Sequence, residues 1–312
     1  MIWTLTMNPA LDLAVTTPRL EIKRKLRCRE ASFTPGGGGI NCSRAIANLG
    51  GESRAMVICG GGTGEIIERQ LRDAGIAIER VDVEGHSRIN VLANPEDEEG
   101  AYRLVLPGPE LLEHEWQSVL RRLEEVLDHS SLLIASGSLP PGVPEDFYAR
   151  VAAVARRSGA QMFLDSPPAA LRRALADEYL FAIKPNRSEW QQIRGGGGDR
   201  RALIERAEAV VRVERRVGII LISMGGEGAL CVTRERSEYI EAPAVDVVDT
   251  TGAGDSMFGA FALAIAGGQS PSAAARYAVA AGAAAVEEFG STLCRSDRLA
   301  EILARMRDSQ PG

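Results

Sequence analysis

Four short apolar runs constrain this chain more than any other feature. They are Leu132-Leu133-Ile134-Ala135, Met162-Phe163-Leu164, Leu180-Phe181-Ala182-Ile183 and Ile219-Ile220-Leu221-Ile222. Unbroken apolarity over so few residues fits strands buried on both faces. Helical spacings separate them, as in Leu203, Ala207, Val210 and Val211. Ahead of the first run, Leu112, Trp116, Val119, Leu120, Leu123, Val126 and Leu127 form an apolar stripe. Strand–helix alternation of this kind predicts a parallel sheet with helices on both faces. The runs continue into Ser136-Gly137-Ser138, Asp165, Lys184-Pro185-Asn186 and Ser223 respectively. Open parallel sheets bind ligands outside the carboxyl ends of their strands, so four strands bring polar groups to one edge.

Residues 10–35 and 86–106 have a different rhythm. Ile89 and Val91, then Tyr102, Leu104 and Leu106 with Arg103 between, alternate as in a sheet with one wet face. A small β-lid is expected from these stretches, interleaved with a single large domain spanning residues 1–312. Residues 256–275 lack charge, but Gly267-Gly268-Gln269-Ser270-Pro271 marks two helix ends and a turn rather than a membrane span.

Composition narrows the class. The 312 residues carry a net charge of −6, which disfavours a nucleic-acid groove or an anionic membrane as partner. Five widely spaced cysteines without a C-x-x-C suggest reduced thiols and a cytoplasmic setting. Of 36 basic residues only Lys23, Lys25 and Lys184 are lysine. A composition bias explains most of that, yet a surviving lysine also marks places where a guanidinium would not serve.

Several segments carry chemistry. Asp249-Thr250-Thr251-Gly252-Ala253-Gly254-Asp255 precedes an apolar helix from Ser256 to Ala266. Small residues let a backbone approach a ligand, and a helix start binds anions. Asp255 there either complements the helix dipole, with Thr250 or Thr251 as N-cap, or accepts a proton from a hydroxyl attacking a phosphate. Pro35-Gly36-Gly37-Gly38-Gly39-Ile40-Asn41 opens a helix with Cys42, Ala45, Ile46 and Leu49 on its apolar face. It reads as a hinge or as a loop pressed against a polar ligand. Lys184-Pro185-Asn186-Arg187-Ser188-Glu189 is a capping box, or a lysine facing phosphate beside an Asn and Glu that hold hydrated Mg²⁺. Ser223-Met224-Gly225-Gly226-Glu227-Gly228 is a glycine-rich hairpin or a nucleotide wall. A phosphate role for residues 195–198 is not expected, since no strand leads into them. Gly60-Gly61-Gly62-Thr63-Gly64 breaks the dinucleotide fingerprint at Glu65, and no Gly-Lys pair exists for a P-loop. His86, His114 and His129 are too scattered for a metal cluster or triad.

The chain resembles the ribokinase-like, PfkB-type carbohydrate kinases over nearly its whole length. Residues 249–260 match that family's carboxyl-terminal signature, residues 35–41 its glycine motif and residues 184–189 its asparagine–glutamate motif. Within the family it is nearest to the bacterial 6-phosphofructokinases, through Lys25-Leu26-Arg27-Cys28, Tyr102-Arg103, Ser136-Gly137-Ser138-Leu139-Pro140-Pro141-Gly142 and Leu293-Cys294. The resemblance implies a Rossmann-like three-layer α/β sandwich with a β-lid, and a homodimer formed through that lid. It implies ATP-dependent phosphorylation of fructose 6-phosphate to fructose 1,6-bisphosphate; 1-phosphofructokinase and tagatose-6-phosphate kinase are the alternatives. A nicotinamide oxidoreductase and a non-catalytic sugar-binding regulator are more remote. By position, Asp255 would be the base, with Gly252, Ala253 and Gly254 as anion hole. Asp12, Gly36, Gly37, Gly38, Gly39 and Asn41 would hold sugar hydroxyls, and Lys25, Arg88, Arg103 and Ser138 the substrate's phosphate. Lys184, Asn186, Ser223, Gly225 and Gly228 would line the ATP site, with Val279 and Ala283 beside adenine. Mg²⁺ is expected through water on Asn186 and Glu189, and K⁺ near Asp249, Thr251, Ala285, Glu288 and Gly290.

Overall fold

The computed structural model describes residues 1–98, 100–195, 200–288 and 292–308. The expected alternation appears as a long sheet. Its strands are β1 (Ile2–Thr6), β4 (Arg54–Cys59), β5 (Ala77–Asp82), β8 (Leu132–Ser136), β9 (Gln161–Asp165), β10 (Leu180–Ile183), β11 (Val217–Ser223), β12 (Gly228–Val232) and β13 (Ser237–Glu241). Their order is β13-β12-β11-β10-β9-β8-β1-β4-β5, parallel from β11 to β5 with β12 and β13 as an antiparallel edge. The four apolar runs are thus four adjacent strands.

Both faces of this sheet are dry, and successive side chains serve opposite cores. Leu133 and Ala135 of β8 join Trp3 and Leu5 of β1 in one cluster, while Leu132 and Ile134 join Ile2 in another. The first cluster packs under α3 (Glu113–Val126), α4 (Phe147–Ser158), α5 (Pro168–Asp177), α6 (Arg187–Arg194) and α7 (Arg200–Glu208). The second packs under α1 (Gly38–Asn48), α8 (Ala253–Ala266) and α9 (Pro271–Val286). The remaining helices are α2 (Gly61–Asp73) and α10 (Ser296–Asp308). This three-layer α/β arrangement is the expected fold class. The stripe on α3 holds for Trp116, Val119 and Leu123, but Leu112 is an exposed N-terminal cap residue and Leu111 is buried in its place.

A second sheet has the order β3-β2-β6-β7, built from β2 (Ala10–Thr17), β3 (Glu30–Gly36), β6 (Arg88–Pro95) and β7 (Tyr102–Leu104). It is threaded into the large domain. The chain leaves after β1 for β2 and β3, and again after β5 for β6 and β7. Phe33, Tyr102, Leu104, Val105 and Leu106 on or beside it are exposed.

Candidate active site

The carboxyl ends of β8, β9, β10 and β11 place Ser136, Asp165, Lys184 and Ser223 along one edge. Lys184 is buried, and its Nζ lies 3.0 Å from Asp165 Oδ2 and 5.9 Å from the centre of the Phe258 ring. An unpaired ammonium there would be costly. Burial pulls the Lys184 pKa down, but Asp165, with Asp255 and Glu189 behind it, outweighs burial and leaves it above the ordinary lysine value.

Gly252 caps α8 in the left-handed region, at φ 74°, so helix α8 begins at Ala253 and neither Thr250 nor Thr251 is its N-cap. The first-turn N–H groups of such a helix lack partners within it. A Cβ on Gly254 would come 3.3 Å from Lys184 Nζ. The helix start and the ammonium therefore converge on one gap, a cradle suited to phosphate oxygens. Asp255, in this first turn, takes a 2.8 Å hydrogen bond from Asn41 Nδ2 of α1. Burial pushes its pKa up to about 6; Asn41 and Lys184 oppose that rise, and the charges of Asp165 and Asp12 add to it. A carboxylate so placed is a base near neutral pH.

The glycine loop turns out to be crowded by the protein's own atoms. A Cβ on Gly36 would lie 2.1 Å from Asp12 Oδ2, on Gly38 2.2 Å from Ser136 Oγ, and on Gly39 2.5 Å from the Leu5 carbonyl. Gly37 is at φ 119°. The loop lets α1 start directly against the ends of β1 and β8, where Thr6 Oγ1 accepts the Ile40 N–H at 2.8 Å. This is what carries Asn41 to Asp255.

Between the lid and the ends of α1, α8 and α9 lies a cleft of about 550 Å³ walled by Asp12, Asn90, Arg44, Arg103, Thr251 and Glu288 among others. Asn90 Nδ2 donates to Asp12 Oδ1 at 2.8 Å, and burial raises the Asp12 pKa against that bond and three arginines. Arg88 Nη1 and Nη2 donate to the carbonyls of Leu106 and Asn8, each at 3.1 Å. Ser138 Oγ accepts from Asn8 Nδ2 at 3.2 Å. Asp255 does not wall this cleft, though Asp12 is near enough to raise its pKa. Lys25 is not brought here: it is exposed on the segment joining β2 to β3 and does not line the cleft.

Beyond the end of β10, Asn186 and Glu189 form the capping box of α6, each side chain holding the other's N–H at 2.8–2.9 Å. Ser223 pairs with Asn186 across the strand ends. Gly225 is open at φ 57°. Gly228, at φ 110°, is required by the hairpin itself, since a Cβ would meet the Ile240 carbonyl at 2.0 Å. Val279 and Ala283 are buried on α9, whose Gly282 approaches Ala253 of α8. Asp249 Oδ1 takes the Thr251 N–H at 2.9 Å, Thr251 Oγ1 at 2.7 Å and Arg103 Nη2 at 2.6 Å. That oxygen is filled by three donors, and Arg103 is engaged here rather than on its own in the cleft. The Val286 carbonyl accepts the Val248 and Asp249 N–H groups, and the Ala285 carbonyl accepts that of Glu288. Gly290, and residues 196–199 of the low-complexity loop, lie outside the described residues.

Asp165, Asn90 and Asn8 were given no site role from the sequence. Asp165 had a signal, its place after the second apolar run. Asn90 and Asn8 sit outside every phosphate-type motif, and only the fold brings them to Asp12 and Ser138.

The chain matches known proteins end to end. It is 35% identical over 303 residues to the ATP-dependent 6-phosphofructokinase isozyme 2 of Escherichia coli, covering 97% of this chain and 98% of that protein. It is 35% identical to a D-tagatose-1-phosphate kinase of Bacillus licheniformis, covering 90% of this chain and 91% of that one. The crystal structure of phosphofructokinase-2 from E. coli in complex with substrates and products superposes with a TM-score of 0.93 at 35% identity, over 98% of this chain and 99% of the other. That relative has also been solved in complex with potassium and in a tetrameric inhibited form. The model for pfkB family carbohydrate kinases matches residues 5–298. With that span and these relatives, the chain belongs to the PfkB family of carbohydrate kinases.

Proposed function

We propose that this kinase transfers the γ-phosphoryl group of ATP to the free primary hydroxyl of a ketohexose phosphate, converting fructose 6-phosphate to fructose 1,6-bisphosphate. The observation that carries the reading is the convergence of Asp255, the α8 helix start and the Lys184 ammonium beside a cleft walled by Asp12 and Asn90. Asp255 accepts the hydroxyl proton as the sugar oxygen attacks in line. The amides of Gly252, Ala253 and Gly254, with Lys184, stabilise the charge developing on the transferred group. Asn41 orients the Asp255 carboxylate toward the acceptor. Asp12, the residue 36–39 backbone and Asn41 bind sugar hydroxyls; Arg88, Ser138 and Arg103, once exchanged from Asp249, bind the existing phosphate.

The phosphate side of the site fits a nucleotide, since Gly254 leaves room between ammonium and helix. Glu189 Oε1, with the second lone pair of Asn186 Oδ1, would hold hydrated Mg²⁺, and that ion would neutralise phosphate charge. The K⁺ position fits less well. Before that exchange Asp249 Oδ1 accepts from both Arg103 and Thr251, and no step here depends on the cation.

The exposed Phe33, Tyr102, Leu104 and Val105 support a homodimer through the lid. Lys25, exposed on the connection that leads to Phe33, is then a phosphate ligand only if assembly brings it to a cleft. No described helix is long and apolar enough to cross a membrane, and all five cysteines are free, which supports a reducing, cytoplasmic setting.

The test is a coupled ADP-release assay over fructose 6-phosphate, fructose 1-phosphate, tagatose 6-phosphate and unphosphorylated sugars. Highest kcat/KM on fructose 6-phosphate is expected. Turnover confined to a 1-phosphate would reassign the substrate, and none on any sugar phosphate would refute the reading.

A further inference from the structure

Asn8 lies in the short connection between β1 and β2, outside every motif used above, and is 7% exposed. Pro9 follows it, which confines Asn8 to extended backbone and removes the next N–H. Its side-chain amide donates to Ser138 Oγ, and its backbone carbonyl accepts Arg88 Nη2. Gly108 closes over it so tightly that a Cβ there would come 2.1 Å from Asn8 Oδ1. One residue thus touches two of the groups assigned to the substrate's phosphate, Ser138 from the loop after β8 and Arg88 from the lid.

Hydrogen-bond direction gives this contact meaning. A serine hydroxyl carries a single proton. With Asn8 donating into the Ser138 oxygen, that proton must leave for another acceptor, and among the described residues none takes it. Arg88 gives one donor to each of two carbonyls, and its Nε–H is buried with no partner. Asn8 Oδ1 is likewise buried and unpaired, so this corner contains polar atoms that the protein leaves unmatched. A carboxylate at position 8 would reverse the pattern by drawing the Ser138 proton inward.

We infer that Asn8 is a positioning residue for the substrate's phosphate, holding Ser138 as a proton donor toward the anion and fixing the Arg88 guanidinium beside it. The inference rests on the sugar-phosphate kinase reading and refines it.

The experiment compares wild type with Asn8→Ala, Asn8→Asp, Ser138→Ala and the double variant Asn8→Ala/Ser138→Ala. Asn8→Ala should raise KM for fructose 6-phosphate about tenfold, the worth of one hydrogen bond to a charged group, and leave KM for ATP within about twofold. Asn8→Asp, nearly isosteric, should raise it further. The double variant should be no worse than Ser138→Ala alone, because Asn8 acts through Ser138. Additive effects, an equal shift in KM for ATP, or a wild-type KM in Asn8→Asp would overturn the inference. If Asn8→Ala fails to fold, the Asn8→Asp enzyme, checked by its circular-dichroism melt, decides alone. A second readout separates this failure from failure of the kinase reading. Inorganic phosphate should raise the Tm of wild type and not of Asn8→Asp; equal shifts, or none in wild type, would overturn the role of Asn8 even if no sugar were turned over.

Discussion

Replacing Asp255 by Asn should slow the enzyme and stabilise it at once. In the folded chain burial lifts the Asp255 carboxyl from 3.8 to about 6. A raised acid means that, between those values, the folded protein keeps a proton that the unfolded chain has released. Stability therefore declines as pH climbs from about 4 to about 6 and stays lower above that. The gap corresponds to about 3 kcal/mol at pH 8. The Asn variant keeps an oxygen for Asn41 Nδ2 and never bears the charge, so it escapes this cost. For a chain of this size the gain is about 5 °C in Tm at pH 8, vanishing near pH 4. Turnover, deprived of its base, should fall about 10²–10⁴-fold, and the acidic limb of the wild-type kcat/KM profile near pH 6 should disappear. Thermal melts and a coupled assay at both pH values read all of this. Turnover within about tenfold of wild type, or a Tm difference equal at pH 4 and pH 8, would refute the assignment.

Two further substitutions probe the neighbours. Asp165→Asn strips the buried Lys184 ammonium of its 3.0 Å partner and should cost about 3–5 kcal/mol in denaturant unfolding at pH 7. Because the Lys184 pKa is raised, that loss is full at neutral pH and shrinks as pH rises past the ordinary lysine value of 10.5; wild-type stability at pH 7 would contradict it. Gly36→Ala puts a methyl where Asp12 Oδ2 now lies, displacing the carboxylate from Asn90. KM for fructose 6-phosphate should rise about tenfold or more while KM for ATP holds; an unchanged sugar KM would remove Asp12 from the site.

Where function depended on local chemistry, the sequence was legible. The apolar runs located four neighbouring strands because strands buried on both faces have no polar alternation to confuse them with anything else. Residues 249–255 located the start of α8 and put Asp255 in its first turn for a like reason: small residues ahead of an apolar helix leave few other uses. The glycine loop has a further cause that its own residues do not show. Its residues are small because Asp12, Ser136 and Leu5 press on them, contacts made across strands that no local pattern encodes. Arg103 was legible as a cation but not as the partner of Asp249, which lies 146 residues away. Asn8 and Asn90 were given no role, since an amide takes its role only from what the fold sets beside it.

The double threading of the small sheet has a kinetic consequence. β2 pairs in parallel with β6, placing Ala10 opposite Arg88, and the chain between them contains β3, α1, β4, α2 and β5. Closing so wide a span is entropically unfavourable until the intervening elements have docked. Refolding should therefore complete this pairing late, and native-state hydrogen exchange should release it as one of the earliest cooperative units. Asp12, Arg88 and Asn90 all ride on these two strands, whereas Lys184 and Asp255 belong to the large sheet and its helices. The lid's share of the proposed sugar site and the proposed phosphoryl-transfer residues thus sit on units expected to differ in protection, and mild destabilisation should weaken sugar binding while Lys184 and Asp255 keep their places.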